Sequence, residues 1–139
     1  MYDPVVTLQR ISKTYSRAGT DVSVLRDLSF TIPAGTFLAI MGPSGSGKST
    51  LLNVMAGIDR PTSGSVVVAG TRLDDLSEGD MARWRARHIG YVFQSYNLIP
   101  VLTASENVEL PLLLTHLWRQ ERMEHVKTAL RLVGLGERM

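Results

Sequence analysis

The chain has 139 residues, 44% of them hydrophobic and 20% charged, a composition typical of one modest globular domain or part of one. Its 15 basic residues nearly balance 13 acidic ones, and the arginines are scattered along the chain, which argues against a nucleic-acid-binding protein. The absence of cysteine excludes a disulfide framework and a thiolate metal site, and no apolar run is long enough to predict a membrane-spanning segment.

Residues 5–11 and 22–32 form two extended runs, separated by a polar turn over 16–21. In the second run apolar and polar residues alternate, which is the period of a strand that buries one face. The inward positions are Leu28, Phe30 and Ile32. This pattern predicts a small antiparallel β layer over residues 1–35.

A glycine-rich segment over residues 42–47 lies between two regular patterns. Residues 36–41 are almost wholly apolar, which predicts a strand covered on both faces. Residues 48–56 have helical spacing of their apolar side chains, and Gly57 supplies the stop. The order of strand, glycine loop and helix predicts an α/β unit.

Between the loop helix and Gln94 the pattern alternates strand and helix. A strand is predicted at 66–68, a helix over 77–87 with a serine cap at its start, and a strand at 89–93 that leads into Gln94. Together with the glycine loop, these elements predict one core over residues 36–101.

The last region, residues 102–139, is predicted to be helical. Thr103 and Glu106 have the spacing of a capping box, and Pro111 interrupts the helix that follows. A further helix is predicted over 118–133. Because an alternating α/β layer continues with a strand after such a helix, we expect the chain to be the N-terminal part of a longer domain.

The glycine segment matches the pattern G-x-x-x-x-G-K-[ST], whose members here are Gly42, Pro43, Ser44, Gly45, Ser46, Gly47, Lys48 and Ser49. Its glycines allow backbone N–H groups to turn toward phosphate oxygens, and the helix adds the positive end of its dipole. Lys48 is predicted to reach the β and γ phosphates, Ser49 to place its hydroxyl on Mg²⁺, and Thr50 to start the helix behind them. The alternative is an ordinary glycine and serine turn with an exposed lysine, but a chance match is on the order of one in a hundred.

Four further segments accompany this loop. They are Tyr15 within Lys13-Thr14-Tyr15, Leu51-Leu52-Asn53 followed by Gly57 and the 61–64 turn, Gln94 within 91–100, and residues 102–108. With them, the chain resembles the nucleotide-binding subunit of ATP-binding cassette (ABC) transporters over essentially its whole length. Segments 42–47, 57–61 and 93–100 are most similar to the lipoprotein-release and macrolide-export branch.

The resemblance implies a P-loop NTPase fold of the α/β class, with an N-terminal antiparallel β layer and the start of a helical subdomain. It implies that Tyr15 stacks on adenine and that Gln94 contacts Mg²⁺ and water and couples the site to a membrane partner. ATP and Mg²⁺ are the implied ligands, with Ser49 and Gln94 as the metal contacts. A buried core tyrosine and an exposed polar glutamine are the alternatives for Tyr15 and Gln94.

The resemblance also implies a function for the whole protein. Two cassettes face each other and hydrolyse ATP, and their closure moves integral membrane permease subunits at the cytoplasmic face of the plasma membrane. The family's signature sequence, acidic strand end, base glutamate and switch histidine are not found in residues 1–139. We therefore assign no catalytic residue and expect this chain to bind ATP without hydrolysing it.

Other functions remain open at this point. A non-transport ABC ATPase in translation or DNA repair would share the loop, although residues 102–139 lack the heptads of the DNA-repair relatives. A metabolite kinase of the P-loop type would share only residues 42–49. The third alternative is a nucleotide-binding fragment that does not hydrolyse ATP or that folds poorly.

Overall fold

The computed structural model describes residues 4–17 and 19–137. The chain divides into two compact units, with the division between Tyr91 and Val92. Each unit has its own secondary structure and its own buried side chains.

The first unit is built on a four-stranded antiparallel sheet in the order β2-β1-β3-β4. Its strands are β1 (Pro4–Arg17), β2 (Thr20–Pro33), β3 (Ser63–Val68) and β4 (Thr71–Arg72). The predicted antiparallel layer is confirmed, with both strands longer than expected. The turn between them is correspondingly tight around Gly19, while Ala18 lies outside the described residues.

One face of this sheet carries the core of the first unit. In β2 the predicted inward positions Leu28, Phe30 and Ile32 are partly buried, and the polar residues between them are exposed. The buried cluster comprises Leu8, Ile11, Leu25, Leu51, Val54, Val66, Val68, Leu73, Met81 and Trp84. These side chains come from β1, β2, β3 and the helices that cover the sheet, so burial of apolar area joins all of these elements.

Two helices and one short 3₁₀ turn pack on the sheet. They are α1 (Lys48–Met55), the turn Leu73–Asp75 and α2 (Glu78–His88). Gly57, with φ 64°, follows the end of α1 as predicted. Ser77 caps α2 by accepting the Asp80 N–H at 3.2 Å, which confirms the predicted cap.

Two predicted strands are wrong. Residues 36–41 and 89–93 form no strand, and Phe37 and Met41 are 98% and 89% exposed. Within residues 4–17 and 19–137, no strand pairs with either segment. A buried strand needs neighbouring strands to pair with as well as an apolar sequence, and neither segment pairs with a strand among the described residues.

The second unit is helical. It contains α3 (Ala104–Glu109), a 3₁₀ segment (Leu110–Leu114) and α4 (Arg119–Leu132). The predicted capping box is confirmed, because Thr103 accepts the Glu106 N–H at 3.2 Å and donates its own N–H to the Glu106 carboxylate at 2.7 Å. The Arg122 guanidinium lies 2.9 Å from the Glu109 carboxylate and joins α4 to α3.

All of these helices are short. The two longest, α2 and α4, have 11 and 14 residues, whereas about 20 apolar residues are needed to span a bilayer. In the part of the chain that the structure describes, no helix meets the length and apolarity required for a membrane span.

Gly64 of β3 lies tightly against the Arg10 backbone of β1. Its φ is 93°, and a Cβ there would collide with the Arg10 carbonyl, whereas Gly70, with φ 75°, has open space at the same position. We expect Gly70→Ala to destabilise the fold by about 1–2 kcal/mol through left-handed strain. Gly64→Ala should destabilise it by about 1–3 kcal/mol more through overpacking. Urea unfolding monitored by circular dichroism measures both losses, and equal losses would contradict the close approach.

Candidate phosphate-binding site

The glycine loop leads directly into the first turn of α1. Gly45 and Gly47 have φ 79° and 89°, in the left-handed region that favours glycine. Gly47 is the N-cap of α1, makes no side-chain cap bond, and is followed by no acidic residue in the first turn. The opening N–H groups of a helix have no intrahelical acceptor, so this end of α1 presents donors and a positive dipole to an anion.

Gly47 also lies close to strand β2. A Cβ at this position would lie 3.0 Å from Val24 Cγ1 and 3.1 Å from both the Val24 carbonyl oxygen and Leu25 Cδ2. Leu25 is buried in the core together with Leu51 of α1. The loop therefore ends at a fixed point on β2, which sets the position of the helix start.

The Lys48 side chain folds back over the loop that precedes it. Its Nζ donates to the carbonyl oxygens of Gly42 at 2.9 Å and Pro43 at 2.7 Å, and lies 3.4 Å from Ser46 Oγ. Carbonyl and hydroxyl oxygens carry no net charge, so these contacts hold the ammonium in place without neutralising it. The structure thus places one positive charge beside the N-terminus of α1.

The other predicted loop residues adjoin Lys48 in sequence. Pro43, Ser44, Ser46 and Ser49 are exposed and Thr50 is partly buried. Their roles as ligand contacts remain predictions. These nine residues, Gly42 to Thr50, form the loop and the first three residues of α1.

Tyr15 lies near the end of β1, beside the turn that follows α1. Its hydroxyl donates to Asp59 Oδ2 at 2.6 Å. The Lys13 Nζ lies 4.7 Å from the ring centroid and 2.6 Å from Asp59 Oδ1. Because Tyr15 is 40% exposed, it is not the buried core tyrosine that was its alternative.

This cluster shifts the pKa of two of its members. The hydrogen bond to Asp59 raises the pKa of Tyr15 above its ordinary 10.0, burial acts in the same sense, and the Thr50 side chain opposes both. Burial alone would raise the pKa of Asp59, but hydrogen bonds from Lys13 and Tyr15, together with the Lys13 charge, hold it below its ordinary 3.8.

The sequence did not predict that Lys13 and Asp59 belong to this cluster. One signal was present in the pattern. Lys13 and Tyr15 are two residues apart on one strand, so their side chains share a face. Asp59, the partner of Lys13, is 46 residues away from it along the chain, and no local sequence pattern links the two.

Gln94 belongs to the second unit. It is exposed, and it lies in the irregular segment of the chain that precedes α3. Its predicted contacts with Mg²⁺ and with a membrane partner remain predictions.

The lowered pKa of Asp59 predicts a contribution to stability that depends on pH. The ionised carboxylate is favoured in the folded state, so its contribution is present above the ordinary pKa of 3.8 and is lost as the pH falls through the folded value. We expect the difference in free energy of unfolding between the wild type and Asp59→Asn to shrink on acidification. Urea unfolding across acidic pH measures it, and a difference that does not vary with pH would contradict the ion pair.

Comparison with known proteins identifies the family. The model of the ABC transporter family matches residues 25–139. The chain is 45% identical over 135 residues to an ABC transporter ATP-binding protein of Thermotoga maritima, covering 97% of this chain and 58% of that protein. It is 42% identical over 135 residues to the macrolide export ATP-binding/permease protein MacB 1 of Yersinia pestis, covering 97% of this chain and 21% of that protein.

The fold agrees with the same family. A solved dimeric structure of the ATP-binding cassette MJ0796, in a post-hydrolysis state with ADP and Pi, matches with a TM-score of 0.83 at 39% identity. The match covers 93% of this chain and 57% of that one, so this chain spans little more than half of the cassette. The predicted fold class is confirmed, and the chain belongs to the ABC transporter family, whose ATP-binding domain it matches.

Proposed function

We propose that this chain binds Mg-ATP through Gly42–Thr50, as part of the ATP-binding subunit of an ABC transporter. The observation that carries the proposal is the position of Lys48, whose ammonium lies 2.7–2.9 Å from two loop carbonyls at the uncapped start of α1. Membership in the family supports the same ligand.

The phosphates would bind where three sources of positive potential meet. The loop and first-turn N–H groups donate to phosphate oxygens, and the α1 dipole favours the negative charge. Lys48 exchanges its contacts with the Gly42 and Pro43 carbonyls for contacts with the β and γ phosphates. Because the replacement acceptors are charged, each new hydrogen bond is stronger than the one it replaces.

The residues present fit a magnesium ion held largely by phosphate. Mg²⁺ prefers hard oxygen ligands and usually keeps several waters beside one or two protein ligands. Ser49 presents an exposed hydroxyl at the start of α1, and the described stretches hold no group of three His, Cys, Asp or Glu side chains suited to a metal. Ser49 is the residue of the first unit proposed to hold the ion, which would neutralise phosphate charge when bound. The contact predicted for Gln94 concerns a residue of the second unit and is a separate prediction.

For the whole protein, we propose hydrolysis of ATP between two facing cassettes, coupled to movement of an integral membrane partner at the cytoplasmic membrane face. A relative named as a macrolide export ATP-binding/permease protein and a similar cassette solved as a dimer with ADP and Pi support this assignment. The loop N–H groups and Lys48 stabilise the charge on the transferred phosphoryl group. Residues 1–139 supply no assigned base, so the chain itself is proposed to bind ATP without turnover.

Lys48→Ala tests the loop directly. Loss of a charge-assisted contact of about 1.5–3 kcal/mol should weaken Mg-ATP binding roughly tenfold to a hundredfold. Lys127→Ala is the matched control, because Lys127 is an exposed lysine of α4 in the second unit and the same charge is removed. Calorimetric titration of the wild type and both variants measures the dissociation constants.

Either of two results would contradict the proposal. Equal affinities of the Lys48→Ala and Lys127→Ala variants would show that the loop does not hold the phosphates. Phosphate release by the wild-type chain in the same samples would show that a base lies within these residues.

A further inference from the structure

We propose that Asp59 and Lys13 are positioning residues that hold the Tyr15 ring ready to stack on the adenine of the bound nucleotide. This inference rests on the proposed function, because it assumes that ATP binds at the neighbouring loop. It assigns a role to two side chains that the phosphate-binding pattern does not contain.

Two contacts hold the Tyr15 ring, and two more hold the Lys13 side chain that makes one of them. Its hydroxyl is bound to Asp59 at 2.6 Å, and the Lys13 ammonium lies 4.7 Å from the ring centroid. The same ammonium donates to Asp59 Oδ1 at 2.6 Å and to the Arg60 carbonyl at 2.7 Å. A ring held at its hydroxyl and at one face cannot rotate without breaking one of these contacts.

The cluster is anchored to the helix that begins at the phosphate loop. The N–H groups of Ile58 and Asp59 donate to the Asn53 carbonyl of α1 at 2.8 and 3.1 Å. In the first turn of the helix, the Thr50 side chain lowers the pKa of the Tyr15 hydroxyl, against the effect of Asp59. The position of the ring is therefore tied to α1, whose N-terminus is the proposed phosphate site.

Lys13 leaves room for one stacking partner. An ammonium over an aromatic ring occupies one face. Tyr15 is still 40% exposed with Lys13 in that position, which leaves ring surface available to a stacking partner. Base stacking on an aromatic ring requires an accessible face in a fixed orientation. A ring fixed before binding loses less conformational entropy when the base arrives.

Lys13 also removes an electrostatic conflict. Asp59 carries a negative charge beside the proposed site of an anionic ligand, and an unpaired carboxylate there would repel it. The Lys13 and Asp59 side chains are only 12% and 26% exposed and lie in direct contact, so solvent screens this pair weakly and the carboxylate is neutralised locally. Asp59 can then orient Tyr15 without weakening phosphate binding.

The proposal predicts that loss of the stack weakens binding of the base and leaves binding of the phosphates unchanged. Stacking contributes to ATP binding but not to binding of tripolyphosphate, which has no base. Tyr15→Ala should weaken ATP binding roughly tenfold, within the range for loss of one base–aromatic stack. Tyr15→Phe keeps the ring but loses the hydroxyl bond, and Asp59→Ala loses both contacts of the carboxylate.

The experiment titrates the full chain and these variants with Mg-ATP and, separately, with magnesium tripolyphosphate. Tyr15→Phe and Asp59→Ala should each weaken ATP binding by about threefold or more while tripolyphosphate affinity stays within about twofold, since only the stack is disturbed. Asp75→Ala is the matched control, because Asp75 is a 71% exposed carboxylate of the same unit, and it should leave both affinities unchanged.

A spectroscopic signature separates positioning from simple support of the fold. Ultraviolet titration, with Tyr15→Phe subtracted, should show the pKa of the Tyr15 phenol above 10.0 in the wild type and closer to that value in Asp59→Ala. If Asp59→Ala does not fold, Tyr15→Phe decides the question alone.

Three results would overturn the inference. An unchanged ATP affinity of the Tyr15→Phe variant would show that the ring does not need the hydrogen bond to Asp59. Parallel losses for ATP and tripolyphosphate would show a structural role only. A wild-type chain that binds neither ligand would overturn the proposed function, and this inference with it.

Discussion

The contact between Gly47 and β2 is the constraint on which the candidate site depends. Because a Cβ at Gly47 would lie only 3.0–3.1 Å from atoms of Val24 and Leu25, the start of α1 lies close against the sheet. The left-handed φ of Gly47 then turns the loop back over the helix end. Lys48 follows at once, and its ammonium is held over the same end by the loop's own carbonyls. A phosphate site with this geometry needs no movement of the core to form.

The turn after α1 extends the same arrangement toward Tyr15. Gly57 ends the helix, and Asp59 reaches β1 through Lys13 and the Tyr15 hydroxyl. One short helix therefore carries the phosphate loop at its first residue and the anchor of an exposed aromatic ring just beyond its last. The two ends of a bound nucleotide would be set by the same rigid element, which is how a small unit can orient a long ligand.

The features predicted correctly from sequence are those that local chemistry determines. Caps at Ser77 and Thr103 follow from residues three apart, and the helix that begins after Gly47 follows from the loop glycines and the apolar spacing behind them. The strand predicted at 36–41 was wrong, because a strand depends on neighbours elsewhere in the chain as well as on its own apolar run. The Lys13 and Asp59 pair was missed for a related reason, since 46 residues separate its members and neither belongs to the loop motif.

If the loop and first turn of α1 bind phosphate with their backbone N–H groups, the signals of these amides should move when a phosphate ligand is added. Amide chemical shifts of the ¹⁵N-labelled chain, recorded while magnesium tripolyphosphate is added, measure this response. The largest shifts should fall on Gly45 to Thr50, with the sheet amides of β3 and β4 nearly unchanged. Shifts that are spread evenly over the chain, or confined to residues outside the loop, would contradict it.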